Sequence, residues 1–388
     1  MSRALIARVL AAAAIAACLQ SAAAQAQERD LRFVLDFISL GRHAPWYVAL
    51  GKGYFKEEGL NVTIMPSKGT ADAIRTVATG GAEIGFIDVP SLVASGSAGG
   101  AVKIVAANYQ KPPYCIFTLN PGANVTEPKQ MAGLELGSST ASFVPKIWAA
   151  FMEMNKVDSK TLKIVNIDAA SRVPMLAAGK VQSIDQFLMS EPAIRRAVTN
   201  AKPVCLFAGD YGLEIYGNSI GIGEDFLAKN PEVVKKFVRA ALKGWKDALA
   251  DPEEASRIET QYVKALDPQI VVEEIEILKR IAVTPDVETH GFGYVSPERM
   301  KNTVDFINKN IEVPGERLTA EQIFRAGYLP EVPVNGSALR RHTNGSCAQF
   351  VMRGQKRVED ARKRACYPRI HRKKRFIQAD GLPGQARQ

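Results

Sequence analysis

Four points in the sequence set basic, hydroxyl, acidic or glycine residues where a strand-like apolar run gives way to a helical one. Leu40-Gly41-Arg42-His43 stands between RFVLDFI (Arg32 to Ile38) and a helical pattern that Pro45 could open. Lys68-Gly69-Thr70 follows the strand-like LNVTIMP, and Asp88-Val89-Pro90 closes EIGFIDV. Gly137-Ser138-Ser139-Thr140-Ala141-Ser142 precedes a further helical run. A helix start presents free N–H groups, and a guanidinium, ammonium or hydroxyl beside them suits the oxygens of a carboxylate, sulfonate or phosphate. Asp88 would orient such N–H groups. Gln186, Glu191, Tyr216 and Asn218 complete a candidate wall, and Phe37, Trp46 and Tyr216 would suit a flat ring.

Each of these residues also has a plain structural role open to it. Ser138, Ser139 and Thr140 could cap a helix in any protein, and His43 could brace its loop. Arg42 could be solvated, Trp46 recurs at core spacing, and Glu191 could be a first-turn helix charge. Catalysis finds little support. No G-x-S-x-G, Walker loop, post-strand G-x-G-x-x-G or HExxH occurs, and no CxxC or His/Cys spacing suggests a metal. The expectation is therefore no catalytic residue, no metal and no cofactor.

The elements that must position this wall alternate. Strand-like runs separated by helices of about ten residues argue βαβ units and a parallel sheet. KPPYCIFTLNPG, with prolines at both ends of a strand, breaks that rhythm as a first crossing between lobes would. A second α/β series follows: LELGS, a helix over about 143–155, TLKIVNI, SRVPMLAAGK, SIDQFL, EPAIRRAVT and VCLFAGD. EIYGNSIGIG would carry the chain back. Beyond Glu224 the pattern is almost wholly helical, with PEVVKKFVRAALKGWKDAL presenting one long apolar face that should buttress the first lobe. The expected fold is α/β in two lobes, 31–115 with 218–330 as the first and 116–217 as the second, joined by two crossings over a cleft.

At 388 residues the chain suits about two domains, and 46% hydrophobic content fits a globular body. Its net charge of +10 would invite a nucleic-acid partner, but residues 337–388 hold 14 Lys/Arg against 3 Asp/Glu. The body over 27–336 carries 34 basic and 37 acidic residues, so its charge points to no polyanion. Residues 337–388 are expected to be a basic, disordered tail: an appendage or an out-of-frame translation, rather than an arm for nucleic acid or membrane. Arg3, Arg8 and the apolar Val9 to Leu19, followed by Ala24-Gln25-Ala26, give 1–26 the form of an export signal. Ile15-Ala16-Ala17-Cys18 offers the alternative of a lipid tether on Cys18. Cys115 and Cys205 either pair or are buried apolar thiols, and the second reading is preferred because two cysteines so far apart make no disulfide framework.

Four segments carry a family likeness: FISLGRHAPWYVALGKGYFKEEGLNVTI, KGTADAIRTVATGGAEIGFIDVPSLV, GSSTASFVPKIWAAFMEMN and MLAAGKVQSIDQF. Together, over roughly 31–330, they resemble the nitrate/sulfonate/taurine and pyrimidine-precursor periplasmic binding proteins, which share a fold with the eukaryotic thiamine-pyrimidine synthases. The resemblance implies a two-lobed periplasmic-binding-protein fold of type II. It also implies a periplasmic, monomeric, non-enzymatic component of an ABC importer, with a small solute and a membrane permease as partners and no nucleic acid. The solute would be a sulfonate, nitrate, aromatic carboxylate or pyrimidine precursor. Glu191 resembles the acid with which pyrimidine binders hold an aminopyrimidine. The alternative is a synthase-like enzyme, whose iron-binding cysteine run has no counterpart in the body here.

Overall fold

Residues 28–139 and 142–335 are described by the computed structural model. The expected export signal, Thr140 and the basic tail lie outside the described residues. By contact density the chain divides after Leu339, and everything below belongs to the part before it.

Ten strands form two five-stranded sheets. The first contains β1 (Arg29–Val34), β2 (Leu60–Met65), β3 (Ile84–Asp88), β4 (Val102–Ala107) and β10 (Asn218–Gly223), in the order β2-β1-β3-β10-β4. The second contains β5 (Tyr114–Asn120), β6 (Glu135–Ser138), β7 (Lys163–Asn166), β8 (Ser183–Phe187) and β9 (Lys202–Phe207), in the order β7-β6-β8-β5-β9. Neither sheet is purely parallel as the alternation suggests. β10 runs antiparallel to β3 and β4, and β5 antiparallel to β8 and β9. In each case the reversed strand is the one entering from the other lobe, so it arrives without the helical crossover that a parallel pairing needs. The crossings are 108–113 and 208–217.

Long-range packing completes the first lobe. The helix Pro231–Ala250 lays Phe237 and Trp245 onto Phe33, Trp46 and Phe86, all fully buried. It lies so close to the helix Ala44–Gly51 that a Cβ on Gly244 would meet Pro45 O at 2.5 Å, which only glycine permits. That first helix stops earlier than its apolar spacing suggests. Gly53 adopts φ 78° and separates a short second turn, Tyr54–Glu57. No helix among the described residues is long and apolar enough to cross a membrane.

The cysteine expectation is overturned. Cys115 and Cys205 form a disulfide with Cα atoms 5.7 Å apart. They lie on β5 and β9, which pair directly, with Cys115 opposite Phe207 and Phe117 opposite Cys205. Ninety residues of separation disappear once β5 inserts between β8 and β9.

Candidate functional site

The carboxyl ends of both sheets face a cleft of about 290 Å³. The first lobe contributes Asp36, Phe37 and Arg42 from the β1 exit, with Lys68, Gly69, Thr70, Ala71, Asp72 and Arg75 from the start of the helix Thr70–Ala78. Tyr114 lines it from the crossing. The second lobe adds Ser139, Ser142, Val144, Asp168, Ala169, Arg172, Asp185, Gln186 and Phe187.

Asp36 anchors the first wall. It is 1% exposed, accepts from Arg42 Nη2 at 2.9 Å and lies 2.7 Å from His43 Nε2. His43 Nδ1 accepts the Leu40 N–H at 3.0 Å, so its proton sits on Nε2 and the neutral ring donates to Asp36. Burial, reinforced by the neighbouring Arg42 charge, pushes the imidazole down to about 4. Burial opposes ionisation of Asp36 as well, but the Arg42 charge and the two hydrogen bonds outweigh it and hold that carboxyl well below its ordinary range. Arg42 is held from behind, its backbone N–H donating to Glu274 Oε2 at 3.0 Å. Burial lifts Glu274 to about 7. The turn sits flush on the helix Pro268–Ala282, since a Cβ on Gly41 would meet Val271 Cα at 2.6 Å.

Asp185 plays the matching part opposite. Buried, it accepts from Ser138 Oγ at 2.6 Å, and Arg172 Nη1 stands 2.7 Å from its Oδ1. Arg172 reaches that oxygen off-axis, its N–H being directed at the Asp185 carbonyl oxygen at 3.1 Å. Burial therefore outweighs the arginine, and the Asp185 carboxyl is raised. Phe187, two residues on, carries the Arg42 guanidinium over its ring at 5.0 Å from the centroid. Between the walls, the Tyr114 hydroxyl donates to Asp88 Oδ1 at 2.7 Å, linking the first strand of the second sheet to the third of the first. Asp88 also caps the helix Val89–Ala94 through Ser91 N at 2.9 Å, and burial raises it to about 6.

Of the residues singled out in the sequence, Phe37, Arg42, Lys68, Gly69, Thr70, Ser139, Ser142 and Gln186 line the cleft. Arg42 is not solvated; it is 4% exposed. The other described ones do not line it. His43 and Ser138 stand behind it, each bonded to one of its carboxylates. Asp88 stands behind Tyr114 in the same way. Trp46 is core, its ring centroid 4.6 Å from that of Phe33 and 5.5 Å from that of Trp245. Tyr216 is also core, its hydroxyl accepting from Ser296 N at 2.8 Å. Asn218 is buried in β10 opposite Asp88. Glu191 pairs with Arg195 at 3.3 Å in the first turn of the helix Glu191–Ala197. Asp36, Tyr114, Arg172, Asp185 and Phe187 were not foreseen. The rule that ligands gather beyond strand ends could have found Asp36, because β1 stops at Val34 and not at Ile38.

The lining charges come in pairs. Arg42 is matched by Asp36, Arg172 by Asp185, and Arg75 by Asp72 at 3.3 Å. Among the described residues Lys68 and Asp168, one from each lobe and both exposed, enter no ion pair. Among the described residues no cluster of three or more His, Cys, Asp or Glu could hold a metal.

Comparison with known proteins gives three kinds of similarity. Residues 41–255 match the family described as NMT1/THI5 like. Riboflavin-binding protein RibY of Chloroflexus aurantiacus is 27% identical over 299 residues, 73% of this chain and 82% of that protein. The formylaminopyrimidine-binding protein of Halalkalibacterium halodurans is 23% identical over 311 residues, covering 78% and 92%. Among solved structures, the alkanesulfonate-binding protein SsuA of Xanthomonas axonopodis pv. citri, bound to MOPS, superposes with a TM-score of 0.62 at 13% identity, covering 78% of this chain and all of that one. At that identity the likeness establishes the fold, a two-lobed periplasmic-binding-protein architecture.

Proposed function

The chain belongs to the NMT1/THI5-like family, and on that premise we propose that it is the extracytoplasmic solute-binding component of an ABC importer. It holds one flat, largely uncharged heterocycle between its lobes, performs no chemistry on it and hands it to a membrane permease. The observation that carries this is the matched charge of the cleft. Three of its four lining cations are neutralised by their own carboxylates, among the rings of Phe37, Tyr114 and Phe187. A bare anion such as nitrate or an alkanesulfonate favours an unbalanced positive site, and here only Lys68 is uncompensated. A ring with polar edges uses both the aromatic walls and the fixed hydrogen-bonding groups. The names of two relatives, a riboflavin binder and a formylaminopyrimidine binder, point to the same chemical class.

A thermal-shift screen tests it over pyrimidines, flavins, aromatic carboxylates, alkanesulfonates and nitrate. A heterocycle at 100 times its dissociation constant should stabilise the protein by about 2.7 kcal/mol. Stabilisation by the anions alone would contradict the proposed solute. Iron bound in stoichiometric amount, or conversion of a cofactor to product, would replace the importer component by a synthase of the same fold.

A further inference from the structure

Arg42 and Arg172 come from different lobes but converge on one strand end. Arg42 lies over the Phe187 ring, and Arg172 lies beside Asp185. Asp185 and Phe187 are alternate residues of β8, so their side chains leave the same face about 7 Å apart. The two guanidiniums are therefore neighbours across the cleft, and each is tolerated there because a buried carboxylate stands against it.

What these pairs leave over is buried polar atoms without partners, donors on both arginines and one acceptor, Asp185 Oδ1. A guanidinium offers five N–H donors, and a single carboxylate contact satisfies only part of them. Arg42 spends Nη2 on Asp36, and Arg172 directs Nη1 at Asp185. The Nε of each is buried with no hydrogen-bond partner. Buried donors without acceptors are costly, and a cleft that concentrates them on both walls is incomplete until acceptors arrive. Because each arginine is already neutralised, the missing acceptor need not be an anion. An uncharged carbonyl oxygen meets the need and leaves no net charge in the closed site.

We propose that Arg42 and Arg172 each read one of two carbonyl oxygens flanking the same ring N–H of the bound heterocycle, so that a heterocyclic dione closes the two lobes on itself. Asp36 and Asp185 act as positioning residues for the two guanidiniums. This rests on the cleft being the solute site proposed above.

Calorimetric titration with matched rings tests it: uracil and lumazine, which carry two ring carbonyls, against pyrimidine and pteridine, which carry none. The diones should bind at least tenfold more tightly. Arg42→Gln and Arg172→Gln should each weaken the diones tenfold or more and the parent rings far less. The double variant should lose less than the product of the two, since one ring must touch both arginines for either contact to form. If Arg42→Gln alone fails to fold, Asp36→Asn with Arg42→Gln replaces both buried charges by amides and carries the same expectation. Diones that bind the variants as they bind the unaltered protein, or no better than the parent rings, overturn the proposal. Binding of an alkanesulfonate but of neither dione would also sink it while leaving a solute-binding component standing. Binding of no solute class at all would remove the functional reading itself.

Discussion

The disulfide between Cys115 and Cys205 makes a quantitative prediction. It closes a loop of 90 residues, for which the chain-entropy relation gives about 4.6 kcal/mol at 25 °C. For a cooperative unit of some three hundred residues this corresponds to roughly 7 °C in melting temperature. The test is the set Cys115→Ala, Cys205→Ala and the double variant, followed by calorimetry and by denaturant unfolding. Either single substitution breaks the bond, so each should cost nearly as much as the double, and the effects should be strongly non-additive. Two unpaired thiols would behave differently: each truncation would cost about 1 kcal/mol, and the double variant clearly more than either single one. A non-reduced digest gives the same answer covalently, since the peptides holding Cys115 and Cys205 should run as one species until reductant is added. Small losses that grow in the double variant, or separate peptides before reduction, would refute the pairing.

Four further predictions concern other parts of the chain. His43 is pushed to about 4 against roughly 6.5 in an unfolded chain, so the unfolded state binds more protons between those values and stability should rise with pH across that window, by about 3 kcal/mol in all. Glu274, raised to about 7, has the opposite sign, and stability should fall as pH rises from about 4.5 to 7; urea unfolding of His43→Gln and Glu274→Gln should remove the rise and the fall respectively, and an unchanged slope in either variant would contradict its assignment. Mass spectrometry of the exported protein should find its first residue near Gln27, whereas a lipidated Cys18 would mean a tethered protein. Deleting residues 338–388 should leave the melting temperature and solute binding unchanged, because their Arg/Lys-rich, aperiodic sequence cannot build a core, and a large loss in either would disprove that.

Local pattern made the strand-to-helix turns legible. Lys68-Gly69-Thr70 sits where an apolar run ends and a 3.6-residue period begins, and it lines the cleft. Asp36 was hidden because RFVLDFI keeps an apolar character past the strand's true end, so its one carboxylate looked like an interruption. Trp46 and Tyr216 are aromatic residues at plausible wall positions, and distant partners decide their burial: Trp245 for the first, the helix Pro297–Asn310 for the second. The cysteine pair depended on which strands β5 separates, a matter of sheet order that no local spacing encodes. Arg172 and Asp185 stand apart in the sequence with nothing to mark them, and become a site only when β8 and the helix Arg172–Ala177 meet.

Equilibrium dialysis of the mature protein against a heterocyclic solute from the screen, with every molecule of solute counted by mass spectrometry afterwards, tests the central claim most directly. A binding component closing its two lobes on one ring should saturate at one solute per chain and return all of it unaltered, however long the incubation. Solute that disappears with time while a new product accumulates, or a plateau far from one per chain, would contradict the account.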